Sequence, residues 1–250
     1  MTSLLARAFL GAALVLLVPG SSFALTQAEA EALVAADDRT EEDRKRDARR
    51  KPATFLVFTG VQAGDRVADL GASSGYTTEL LARAVGSEGT VYGQNTPYVL
   101  EKYVSESWPA RLARPAMKGV VRVDRELVSP LPPEAKDLDL ITMIYVYHDT
   151  LFSGVDRKAM NQALLGALRP GGSLVVVDNT AAPGGDAKEV AETIHRMDPA
   201  VLRAELEEAG FVFAAEADFL RVPEDPKNEA FFKRDGPTDS FVHRYTKPAP

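Results

Sequence analysis

The chain has 250 residues, 45% of them hydrophobic, which is enough apolar material for one domain with a substantial core. Its formal charge of −7 comes with no basic stripe interleaved with aromatic residues, which argues against nucleic acid as a substrate. The absence of cysteine excludes disulfides, thiolate metal ligands, thiol nucleophiles and lipoprotein acylation.

The N-terminus reads as an address. Arg7 is the only charge before an apolar run, Ala8 to Val18, that only Gly11 interrupts. Pro19-Gly20 breaks the run, and Ser22-Phe23-Ala24 puts small residues at the two positions a signal peptidase reads. Residues 1–24 are therefore expected to be a signal peptide cleaved after Ala24, giving a periplasmic or secreted protein. The run is too short to cross a bilayer comfortably, so no stable membrane insertion is expected after its removal. Loss of Arg7 with it takes the formal charge from −7 to −8.

Residues 25–52 form a charged helical lead-in. Thr26 can cap a polar helix, with Glu29 as its capping-box partner. The mixed-charge run from Asp37 to Lys51 reads as a solvated helix face or a flexible segment, stopped by Pro52. Residues 53–250 then form the main domain. Apolar structure restarts at Thr54 to Phe58, and Val61 to Asp65 turns into the first strand.

From there strands and helices alternate. Strands are expected at Arg66–Leu70, Thr90–Gln94, Val120–Val123, Leu138–Ile144, Ser173–Asp178, Phe211–Ala217 and Phe241–Tyr245. Helices are expected at Gly75–Val85, Pro97–Leu112, Asp156–Leu168 and Pro199–Ala209. The nearly continuous apolar runs at Leu138–Ile144 and Leu174–Val177 suit central parallel strands covered on both faces. The pattern predicts an α/β fold, a single doubly wound Rossmann-like domain. The last two strands have only a polar loop between them, Pro223 to Asp239, and should pair antiparallel.

The segment Val67-Ala68-Asp69-Leu70-Gly71-Ala72-Ser73-Ser74-Gly75-Tyr76 takes an apolar strand through a small-residue turn into a helix. Such a turn lets a ligand approach the backbone, and the helix behind it offers unpaired N–H groups. Its glycine spacing is neither a dinucleotide fingerprint nor a phosphate loop. Gly71-x-Ser73-x-Gly75 resembles the first motif of class I S-adenosylmethionine (SAM) methyltransferases, with Ser73 in place of the usual middle glycine. The plain alternative is an ordinary strand-to-helix turn.

Three further segments carry the same resemblance. Leu168-Arg169-Pro170-Gly171-Gly172-Ser173-Leu174 is similar to the turn before the fifth strand of these enzymes, Gly210-Phe211 to the entry of their sixth, and Leu138–Ile144 to their fourth. It covers roughly residues 55 to 247 and implies a seven-stranded sheet in the order 3-2-1-4-5-7-6 with strand 7 antiparallel. A narrower resemblance lies in Glu42-Asp43 to Arg46-Asp47, Arg50 to Pro52, Gly75-Tyr76-Thr77, His195-Arg196-Met197-Asp198 and Leu220 to Asp225. It points to a family of predicted bacterial methyltransferases that carry signal peptides.

The resemblance implies SAM as cofactor and a small-molecule acceptor, methylated on oxygen or nitrogen. Gly71, Ala72, Ser73 and Gly75 would line its methionine part, Asp69 would face its ammonium, Gln94 the ribose and Asp124 the adenine amino group. Candidate chemistry follows the fourth strand at Tyr147, His148 and Asp149, with His195 on the same rim. His148 has a suitable ordinary pKa for a general base, and Asp149 could orient it. His243 is expected to be structural, and Trp108, Tyr98 and Tyr103 to be core packing.

No metal is assigned, for want of a ligand cluster in the sequence. A variant in which Asp149 and Asp178-Asn179 hold Mg²⁺ for O-methylation remains an alternative. A SAM-fold protein that binds a ligand without methyl transfer is the other, because export separates the chain from cytoplasmic SAM.

Overall fold

A computed structural model describes residues 24–249; all but the last residue of the expected signal segment lies outside them. Seven strands form one sheet: β1 (Arg66–Leu70), β2 (Thr90–Asn95), β3 (Val120–Asp124), β4 (Leu138–Ile144), β5 (Leu168–Asn179), β6 (Val212–Ala217) and β7 (Ser240–Thr246). Their order is β3-β2-β1-β4-β5-β7-β6. All pairs are parallel except those of β7, which runs antiparallel to β5 and β6. This is the expected doubly wound, Rossmann-like α/β fold, with the expected order.

The helices are α1 (Gln27–Val34), α2 (Glu41–Arg50), α3 (Pro52–Thr59), α4 (Tyr76–Val85), α5 (Pro97–Lys102), α6 (Ser107–Leu112), α7 (Arg157–Ala167), α8 (Ala187–Ile194) and α9 (Pro199–Glu208). They cover both sheet faces. Along β5, Leu174 and Val176 join Met160, Leu164, Leu202 and Leu206 of α7 and α9 in one core. The alternate residues Val175 and Val177 join Phe55, Leu56, Leu80 and Leu81 of α3 and α4 in the other. A strand whose side chains alternate between two dry layers has no position for a polar residue, hence the unbroken apolar run.

Three expectations change. The helix drawn from Pro97 to Leu112 is two, α5 and α6, because Pro109 has no N–H and its ring obstructs the carbonyl four residues back. Tyr98 and Tyr103 are exposed and meet edge to face with ring centres 5.9 Å apart, whereas Trp108 is fully buried as expected. Helix α8 was not anticipated, although Asp186 caps it by accepting from the Glu189 N–H.

The charged run is a docking surface. Asp43 and Arg39 are buried. Arg111 of α6 forks onto Asp43 at 2.8 and 2.9 Å and reaches Glu79 of α4 at 2.6 Å. Arg39 forks onto Asp47 at 2.6 and 2.8 Å, and the Tyr76 hydroxyl donates to the same carboxylate at 2.6 Å. The alternating charges of α2 thus answer buried partners on the domain. No helix among the described residues is long and apolar enough to cross a membrane.

Candidate functional site

The order of the sheet reverses between β1 and β4, which opens a crevice at the carboxyl ends of the strands. The turn after β1 lies there and is wired to β2. Gly71 N–H donates to Gln94 Oε1 at 3.0 Å and Ala72 N–H to the Gln94 carbonyl at 2.8 Å. Ser73 N–H donates to Asn95 Oδ1 at 2.7 Å, and Asn95 Nδ2 returns a bond to the Ser73 carbonyl at 3.1 Å. Gln94 is fully buried, and its Nε2 donates to the Arg125 carbonyl at 2.5 Å. Its side chain therefore holds the turn instead of projecting toward a ribose. Asn95, the true end of β2, escaped the sequence reading because the strand was drawn one residue short.

Gly71 and Gly75 both sit in the left-handed region, at φ +66° and +83°. A Cβ on Gly71 would lie 2.7 Å from Val146, and one on Gly75 would lie 2.6 Å from Trp108 and 2.7 Å from Arg111. Their bareness is thus already required by packing inside the protein. The open face of the turn is Ser73, exposed and left-handed at φ +52°. Ala72, by contrast, is buried against Trp108 and Met117.

Asp69 lies beneath the turn. It is buried and accepts from Thr78 Oγ1 at 2.6 Å and Thr142 Oγ1 at 2.8 Å, tying α4 to β4. Burial pushes its carboxyl up to about 6, against the opposing effect of the two hydroxyls. Asp124 ends β3 in the register of Asn95, but its exposed carboxylate is taken by Arg122 at 2.8 and 3.0 Å.

Beyond β4, Tyr145 takes a left-handed conformation at φ +59°, and the chain enters a short 3₁₀ turn, His148–Leu151. His148 is buried and doubly held by Asp178, whose carboxylate accepts from its backbone N–H at 2.9 Å and from Nδ1 at 2.7 Å. Its Nε2 lies 3.1 Å from Asp149 Oδ1, and His195 Nδ1 approaches the same oxygen at 3.7 Å. Burial favours the neutral imidazole, but the Asp178 charge and the bonds to Asp149 and Asp178 outweigh it and push His148 up to about 10. His148 therefore carries its proton at neutral pH, which removes it as the expected general base.

Tyr147 does not reach the rim. It is fully buried, donating its hydroxyl to Glu205 at 2.9 Å and accepting from Asn161 at 2.8 Å, and burial raises its pKa strongly. The structure does bring His148, Asp149 and His195 together. Asp178 serves His148 and so does not stand free as a ligand beside Asp149, while Asn179 Nδ2 donates to the His195 carbonyl at 3.4 Å. His243 is buried in β7, with Nδ1 3.0 Å from the Tyr245 hydroxyl, and burial pushes it down to about 4.

A cavity of about 550 Å³ lies over the ends of β4 and β5 and the start of β7, lined in part by Arg50, Tyr145, Asn179 and Ser240. Arg50 stacks over the Tyr145 ring at 4.2 Å and, among the described residues, pairs with no carboxylate.

No protein-family model matches this sequence, and no curated protein matches it. Solved structures share the fold. A SAM-dependent methyltransferase from Aquifex aeolicus superposes with a TM-score of 0.58 at 17% identity, covering 89% of this chain and 98% of that one. A SAM-dependent O-methyltransferase from Thermotoga maritima gives 0.53 at 18%, covering 90% and 72%. An arsenic(III) SAM methyltransferase from Chlamydomonas reinhardtii gives 0.51 at 17%, covering 75% and 65%. At these identities the likeness establishes the fold.

Proposed function

We propose that this chain is a SAM-dependent methyltransferase acting on a small anionic acceptor outside the cytoplasm. The observation that carries this reading is the placement of the Gly71–Gly75 turn at the switch point of a 3-2-1-4-5-7-6 sheet, with its open face, Ser73, turned to solvent. The fold-mates named above are methyltransferases, which supports the cofactor.

Bound SAM supplies an electrophilic methyl group on a sulfonium, and transfer is an in-line displacement in which alignment provides much of the rate. The chain's residues have separable tasks. Asn95 and Gln94 fix the turn that would hold the methionine part. Asp149, the half-exposed carboxylate of the rim, is placed to attract the cofactor's positive charge. Arg50, without a carboxylate partner, would hold an acidic group of the acceptor in the cavity. His148, already protonated, takes no proton from the acceptor, which favours a neutral amine or a group ionised before it binds.

One observation favours a ligand-binding protein without turnover: both amides at the end of β2 are occupied by the turn, and no acidic residue stands there. Calorimetric titration with SAM and S-adenosylhomocysteine tests cofactor binding directly. Gly71 variants are unsuitable, since Val146 fills the space they would need. Ser73→Asn keeps a residue that tolerates the left-handed region while adding bulk to the open face. It should weaken binding about tenfold or more, a change of roughly 1.4 kcal/mol or above. Equal affinity for wild type and variant would remove the turn from the site. Saturable binding with no transfer to any acidic acceptor would favour the non-catalytic reading.

A further inference from the structure

The carboxyl edge carries a cluster of three potential metal ligands, one of which, Asp149, also faces the proposed cofactor site. We propose that His148, Asp149 and His195 form a binding site for one borderline divalent transition-metal ion of the Zn²⁺, Co²⁺ or Fe²⁺ class. The proposal does not depend on the methyltransferase reading.

Each of the three residues offers one donor atom, and these atoms all lie within 4.8 Å of one another. Asp149 Oδ1 stands 3.1 Å from His148 Nε2 and 3.7 Å from His195 Nδ1. Metal–ligand bonds of about 2.0–2.2 Å separate neighbouring donors by roughly 3 to 3.5 Å, so both Asp149 spacings are already close to those of a shared ion, and the two imidazoles close on each other when it binds.

The surroundings are arranged as a metal site requires. Asp178 accepts from His148 Nδ1 at 2.7 Å, which fixes the ring and directs Nε2 at the cluster. His195 is the left-handed cap of α8 at φ +50°, an uncommon conformation for a residue with a side chain, and Asn179 bonds its carbonyl. Phe152, Phe231 and Phe232 pack their rings edge-on around the His195 imidazole, with centres 5.4 to 6.5 Å away, and give the site an apolar wall.

Charge and donor type select the ion. Asp149 and Asp178 carry two negative charges, which a divalent cation balances once it displaces the proton from His148 Nε2. Two imidazoles and a single carboxylate suit borderline metals, while Mg²⁺ and Ca²⁺ ask for oxygen ligands. Three protein ligands leave coordination positions open for water or an oxygen donor of a small molecule.

Tag-free protein stripped with chelator and titrated with Zn²⁺ by calorimetry, and with Co²⁺ by visible absorption, tests the site. One ion per chain should bind, and excess Mg²⁺ should not displace it. His195→Ala and Asp149→Ala should each weaken binding at least tenfold. Asp178→Asn should weaken it about 10- to 100-fold with all three ligands still present. His243→Gln, a histidine outside the cluster, should leave it unchanged. Unchanged near-ultraviolet circular dichroism would confirm that each variant is folded, with His195→Gln and Asp149→Asn replacing any that is not. Absence of a saturable one-equivalent site in the wild type would overturn the proposal. So would binding that survives both ligand substitutions, or a preference for Mg²⁺ over Zn²⁺.

Discussion

The Asn95 side chain clamps Ser73 at two points, accepting from its N–H at 2.7 Å and donating to its carbonyl at 3.1 Å. One amide thus holds the open face of the first turn to the end of β2. Asn95 itself is fully buried. Asn95→Ala should cost about 2 kcal/mol, because it strands a donor and an acceptor. Asn95→Asp keeps the acceptor but sets a carboxylate against the Ser73 carbonyl, and should cost at least as much. Urea unfolding of both variants measures this, and values within 0.5 kcal/mol of wild type, on the order of a neutral surface change, would show that the clamp is slack.

The fork of Arg111 onto Asp43 makes residues 25–52 a packed part of the structure, with Ala30 of α1 fully buried in the core shared with α3 and α4. Asp43→Ala leaves a largely buried guanidinium with Glu79 alone. The loss should be on the order of 3 kcal/mol, and protease cleavage between α1 and α3 should accelerate. A stable, protease-resistant variant would mean that the lead-in docks through apolar contacts only.

His243 should make the protein acid-sensitive. Burial lowers its pKa from 6.5 to about 4, with the Arg203 and Arg221 charges acting the same way and Glu216 opposing. Above pH 6.5 both folded and unfolded chains hold it neutral, and it contributes nothing to the pH dependence. As the pH falls from 6.5 toward 4, the unfolded chain takes up a proton that the folded one refuses, and stability declines by up to about 3 kcal/mol. His243→Gln should flatten this part of the profile in urea unfolding measured from pH 7 to pH 4.5. A parallel decline in wild type and variant would assign the acid sensitivity to other groups.

We propose export on the basis of Arg7, the apolar run to Val18 and the small residues at Ser22 and Ala24. Protein isolated from the extracytoplasmic fraction of its native host should begin at Leu25 by N-terminal sequencing. A cytosolic chain starting at Met1 would contradict this, and would also place the protein beside its cofactor supply.

The doubly wound class and the antiparallel last pair were legible because their signals are long: Leu174 to Val177 must be dry on both sides, and only a polar loop joins β6 to β7, whereas the full strand order rested on the family resemblance. Local signals were misread where tertiary partners decide. Nothing near Gln94 in sequence says that its side chain turns back to Gly71, a residue 23 positions away. His148 looked like a base because its ordinary pKa is near neutrality, while Asp178, which holds its proton on, lies 30 positions away on another strand. The run of charge around Asp43 looked solvated because its partners, Tyr76 and Arg111, belong to α4 and α6. Tyr98 lies on α5 and Tyr103 caps its end, five residues on and off any common helix face, and both stand exposed.

The claim that a cofactor lies over the first turn is tested most directly by amide chemical-shift mapping with S-adenosylhomocysteine. The account expects saturable shifts concentrated at Gly71–Gly75, at Gln94 to Thr96 and at Tyr145 to Asp149, the three segments that meet at the switch point of the sheet. Shifts that fail to saturate, or that saturate elsewhere and leave Ala72 and Ser73 unmoved, would contradict it.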